Sequence, residues 1–179
     1  GADWDGVTVL EDSNGELPVV MPDYVDNAIG KGEIKTVLKW IHANDAEDRV
    51  NATCGIEKMC TPLLKIAASH KQLALMALIL QLGADVDLRS IQNNTPMALM
   101  INPLDEAGTV NVAVRLLLSW GANFFPETVG SRAELVSGAR EYGKHELANL
   151  LESELGGRRC EIVNLSSRPE LNGKTCVAD

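Results

Sequence analysis

The stretch Leu78-Ile79-Leu80-Gln81-Leu82-Gly83-Ala84-Asp85-Val86-Asp87 decides how this chain is read. An apolar helix runs into a glycine, which accepts the left-handed backbone that closes a helix end at little steric cost. Leu116-Leu117-Leu118-Ser119-Trp120-Gly121-Ala122-Asn123 repeats the pattern. Upstream of each lies a segment that opens on Thr-Pro: Thr61-Pro62-Leu63-Leu64-Lys65-Ile66-Ala67-Ala68, and Thr95-Pro96-Met97-Ala98-Leu99-Met100. Thr can cap the N–H groups of a first turn, and Pro at the first helical position gives up a donor that had no partner. Thr61 and Thr95 stand 34 residues apart. Two helix-turn-helix units therefore follow one another in tandem. Composition agrees: 45% of residues are hydrophobic but only 4% aromatic, an aliphatic stock that suits close helix packing better than a β-sandwich.

These segments resemble the ankyrin-repeat family, whose motif runs T-P-L-H-x-A-A and then G-H-L-x-x-V-x-x-L-L-x-x-G-A-D-V-N. The likeness covers residues 22–155 and implies a mainly α solenoid of about four helix-turn-helix units; the residues outside it read as short β-hairpin segments at both ends of the chain. The first unit runs from Asp23 to Ala52, with Val37, Leu38, Trp40 and Ile41 as its apolar stripe and Asn44 in left-handed geometry where the family has Gly. A short acidic insertion, 45–48, precedes Val50-Asn51-Ala52. The fourth unit starts near Ser131, with helices around Ala133–Tyr142 and Glu146–Leu155 broken at Gly143, and reads as a cap. Three departures matter. One extra residue between Pro62 and Ala67 can shift that helix start, Lys71 replaces the family's inter-helix Gly, and about five extra residues in 102–112 lengthen a loop.

Residues 156–179 change character. Apolar residues alternate around Arg168-Pro169-Glu170-Leu171-Asn172-Gly173, which reads as a hairpin. The run resembles the opening strands of a small SH3-like barrel found beside ankyrin repeats in some algal and other protist proteins. Residues 1–21 read as a second hairpin or an extended arm, with Val7-Thr8-Val9-Leu10 and Leu17-Pro18-Val19-Val20 flanking Asp12-Ser13-Asn14-Gly15. Both ends are expected to lie on the repeats or on a neighbouring protein.

The formal net charge of −9 argues against nucleic acid as a partner, because no basic run is present. Residues 1–48 hold eleven acids against Lys31, Lys35 and Lys39, a surface for steering a basic partner or simply for solubility. No apolar run is long enough to span a bilayer. Cys54, Cys60, Cys160 and Cys176 lack zinc-ligand spacing. The spacing permits a Cys160–Cys176 bridge across a hairpin, which a reducing compartment disfavours. No nucleophile, metal or phosphate-loop motif appears, His70 takes the family's structural position, and no cofactor is expected. The Gly start without Met suggests processing or a partial sequence, so the location is expected to be cytoplasmic or, with a transit peptide removed, organellar, in the chloroplast stroma.

The family resemblance implies a non-enzymatic module that holds a protein partner on its concave face and projecting fingers. On this chain the finger tips carry Ile56, Lys58, Met59, Arg89, Ile91, Gln92, Phe124 and Phe125. Phe124-Phe125 cannot both face one core, so they serve either as an interface anchor or as one packed and one exposed ring. Leu82 and Trp120 stand just before the C-terminal glycines of their helices and should lie side by side as an apolar ridge, covered by a partner or by the chain's own ends. The competing reading is a permanent structural subunit of a large assembly held by terminal arms. A regulatory part of a longer enzyme is a third.

Overall fold

The computed structural model of the protein describes residues 18–101, 107–123 and 131–178. Among them it is mainly helical, with one small two-stranded antiparallel sheet. The helices come as hairpins: α1 (Asp23–Lys31) with α2 (Ile34–Ile41), α3 (Leu63–Ser69) with α4 (Leu73–Gln81), α5 (Pro96–Met100) with α6 (Ala107–Ser119), and α7 (Arg132–Glu141) with α8 (His145–Glu152). Strands β1 (Arg159–Glu161) and β2 (Thr175–Val177) follow.

The three described turns inside the pairs share one construction. Glu33 N–H donates to Ala28 C=O at 2.8 Å, Gln72 to Ala67 at 2.9 Å and Lys144 to Ala139 at 2.8 Å. Each bond closes over a left-handed residue: Gly32 (φ 70°), Lys71 (φ 56°) and Gly143 (φ 72°). Lys71 thus adopts the conformation that its replacement of glycine put in doubt, at a cost on the order of 1 kcal/mol. The buried alanines at the accepting positions let the two helices close tightly.

The ends of α4 and α6 form as read. Gly83 (φ 97°) and Gly121 (φ 88°) are left-handed, and Ala84 N–H reaches Ile79 C=O at 3.0 Å as Ala122 N–H reaches Leu117 C=O at 3.1 Å. The end of α2 departs from expectation. Asn44 is not left-handed; its Oδ1 accepts Ala46 N–H at 3.1 Å instead. A side-chain turn has replaced the glycine-type closure and starts the acidic insertion.

Helix starts diverge in the same way. Thr95 Oγ1 accepts Ala98 N–H at 3.1 Å, with Pro96 at the first helical position. In the preceding unit the extra residue moves the start: Pro62 is still extended, α3 begins at Leu63, and the Thr61 hydroxyl donates to Lys58 C=O at 2.8 Å. The long loop expected over 102–112 is also corrected, since α6 already begins at Ala107. Once the stretch bearing buried Ala113, Val114, Leu117 and Leu118 is helical, each added residue gains a hydrogen bond without a new nucleation cost. At the other end, α8 stops at Glu152, before the expected Leu155. Arg132 donates to the carbonyls of Leu151 at 2.8 Å and Glu152 at 2.6 Å and caps it there.

Among the first three pairs, α1 packs against α3, α3 against α5, and α4 against α6. One core runs from Met21 and Val25 through Leu63, Met76 and Ile79 to Leu117, Leu147 and Leu151. Leu78 and Leu116 lie in helices and are half-buried. At the N-terminal side, Val20 bridges Thr53 in parallel, and Met21 N–H donates to Thr53 C=O at 2.8 Å. The expected hairpin around Asp12–Gly15 lies outside the described residues.

Candidate functional site

The finger that follows α2 is built to hold its tip rigid. Residues Ile56–Lys58 make one 3-10 turn, after which Met59 (φ 62°) and Cys60 (φ 44°) turn the chain back through left-handed geometry. The buried Cys54 thiol donates to Thr61 C=O at 3.3 Å from beneath. Burial pushes that thiol's pKa up, and the Thr61 bond offsets part of the effect. Lys58 reaches across to α1, where its ammonium lies 2.7 Å from carboxylate oxygens of both Asp23 and Asp26. Those two hydrogen-bonded carboxylates hold its pKa above the ordinary lysine value. Lys58 is therefore already engaged within the chain and braces the finger.

The next finger repeats the arrangement with different residues. Ser90 and Asn94 close a short loop (Ser90 N–H to Asn94 C=O, 3.2 Å), Asn93 is left-handed at φ 61°, and Arg89 donates to Asn93 Oδ1 at 2.8 Å. Ile91 N–H donates to Met59 C=O at 3.2 Å, so the two tips are joined. Their bases are joined as well. Asn51 Oδ1 accepts Asp85 N–H at 2.7 Å, and both carboxylate oxygens of Asp87 face Asn123 N–H at 3.0 and 3.1 Å. The acceptors Asn51 and Asp87 stand 36 residues apart, and their donors Asp85 and Asn123 are the matching residues after Gly83-Ala84 and Gly121-Ala122, a sequence signal that reading for helices alone passes over.

On this stapled frame the apolar tips stay in solvent: Ile56 is 77% exposed, Ile91 59% and Met59 45%. Gln92 is exposed beside them. Beneath lies Lys65 of α3, buried, its ammonium donating to Ser90 Oγ at 3.0 Å. Desolvation lowers its pKa. Phe124 and Phe125 lie outside the described residues.

Leu82 and Trp120 meet different surroundings. The guanidinium of Arg159 sits over the Trp120 ring, 5.0 Å from its centroid, while Leu82 remains 38% exposed beside a recess of about 210 Å3 lined by His42, Asn44 and Arg49. The C-terminal hairpin is thus the cover for Trp120. Gly157 (φ 72°) enables the approach, since a Cβ there would stand 2.7 Å from Leu118 Cδ1. Sequence proximity gives no hint of this pairing.

Among the described residues no three His, Cys, Asp or Glu side chains converge as metal ligands, and no helix is long and apolar enough to cross a membrane. The His70 ring packs toward Gly30 of α1, where an added Cβ would lie 3.4 Å from its Cε1. No protein-family model and no curated protein sequence matches the chain.

Proposed function

We propose that the chain is an ankyrin-type solenoid and works as a non-enzymatic module that binds a protein partner through its fingers. The solenoid reading is supported by the repeated turn construction at Ala28, Ala67 and Ala139 and by the staples at Asn51 and Asp87, which tie successive units at equivalent positions. The binding reading rests on one observation above all. Ile56, Met59 and Ile91 remain exposed on loops that hydrogen bonds hold rigid. Apolar side chains on a preformed frame lose little conformational entropy on docking and make effective anchors. The C-terminal segment lies on the chain's own helices through Arg159 and Gly157, which favours this reading over a subunit held in place by free terminal arms.

The double variant Ile56→Asp, Ile91→Asp tests it, because both side chains point to solvent and the fold should survive. Cross-linking mass spectrometry on the natural source should show partner links at the fingers for the unaltered chain, reduced at least about tenfold in the variant at equal melting temperature. An unchanged set of links would sink the finger-surface reading.

A further inference from the structure

The C-terminal hairpin carries two thiols that neither the helix pairs nor the fingers use. Register sets Cys160 directly across from Cys176, between the pairs Arg159–Val177 and Glu161–Thr175. The bonds Ala178 N–H to Arg158 C=O and Ile162 N–H to Lys174 C=O, both 2.9 Å, fall two residues to either side. Cys160 and Cys176 therefore occupy a hydrogen-bonded pair of the ladder, where facing Cα atoms are about 5.5 Å apart. That is within the range of about 4.4–6.8 Å that a disulfide spans. Directly opposed residues share a face of the sheet, so both sulfurs are on one side. Both thiols are free and half-buried. Cys54 differs in being buried, its S–H donating to Thr61 C=O at 3.3 Å, whereas the Cys160 S–H makes a longer contact of 3.6 Å with Arg158 C=O.

We propose that Cys160 and Cys176 form a reversible dithiol–disulfide switch, oxidised by a glutathione-class disulfide, that clamps the hairpin onto Trp120. One cysteine thiolate attacks a sulfur of the oxidant, forming a mixed disulfide and expelling one glutathione thiolate. The second cysteine thiolate attacks the protein sulfur of that mixed disulfide and expels the other. The S–S bond of the oxidant is broken, the protein S–S bond is made, and two electrons pass from the cysteines to glutathione. The two cysteine protons end on the released glutathiones through solvent.

Two strands alone are marginal in water, and this pair depends on its contact with α6. A Cys160–Cys176 bond encloses fifteen residues and removes conformations available to the undocked hairpin. Arg159, next to Cys160, is then held over the Trp120 ring. Both cysteines are only half-buried on a surface hairpin, so a link between them stays accessible to thiols and is easily reduced. Easily reduced links are the regulatory ones. The inference is independent of what the fingers bind.

The test equilibrates the full chain in glutathione buffers of rising disulfide fraction, blocks free thiols, and maps the digest. A Cys160–Cys176 peptide, about 2 Da lighter than its two thiol halves together, should rise and fall with the ratio. Cys54 and Cys60 should stay blocked. Amide exchange over residues 157–178 should slow at least about tenfold on oxidation. In Cys160→Ser, Cys176 should retain glutathione as an unresolved mixed disulfide. Three results would overturn the proposal: thiols or mixed adducts alone in the unaltered chain, pairing of either cysteine with Cys54 or Cys60, or an oxidised hairpin that exchanges as fast as the reduced one.

Discussion

Two tryptophans near the ends of second helices are each covered by an arginine, by different routes. Arg49 stands over the Trp40 ring at 5.1 Å and also donates to the Trp40 carbonyl at 2.8 Å. It comes from the same loop, nine residues on. Arg159 stands over Trp120 at 5.0 Å, but it arrives from the far end of the chain on a two-stranded hairpin. Between these ends, Leu82 has neither cover. A local cover forms along with its helix, whereas a distant one holds only as firmly as the segment that delivers it.

The sharpest way to break the distant cover is Gly157→Val. It forces a β-branched residue into left-handed geometry against buried Leu118, and should cost about 2–4 kcal/mol in urea unfolding while amide exchange over β1 and β2 becomes fast. Arg49→Ala removes a charged hydrogen bond as well as the ring contact, so about 1–2 kcal/mol should be lost from the same measurement. Arg159→Ala removes the ring contact of the distant cover. A loss of about 0.5–1 kcal/mol is expected, with the fluorine resonance of 5-fluorotryptophan at Trp120 moving toward its solvent-exposed position. Leu82→Gln should change stability by less than about 0.5 kcal/mol. A loss above about 1 kcal/mol there would mean that something does cover the middle position, and the comparison would fail.

Much of the helical pattern could be read from the sequence because its causes are local. Gly83 and Gly121 end their helices through their own backbone freedom, Thr95 caps its own first turn, and the stripe of Val37, Trp40 and Ile41 is buried as its spacing indicates. Errors fell where a neighbouring interaction outweighed a residue's preference. Asn44 used its side chain to start a turn instead of adopting left-handed backbone, Thr61 turned its hydroxyl to Lys58, and α6 grew back into residues read as loop. The finger tips Ile56, Met59 and Ile91 were legible as exposed apolar residues on loops. The pairing of Lys58 with Asp23 and Asp26 was not, and neither was Arg159 over Trp120, because those partners lie more than thirty residues apart and no local periodicity connects them.

The row of side chains at Asn51 and Asp87 has a mechanical consequence. Each accepts an amide from the loop one unit further along, and Ile91 adds a link between tips. A push on one tip is therefore shared along the row, and the fingers yield as a single springy plate instead of as separate levers.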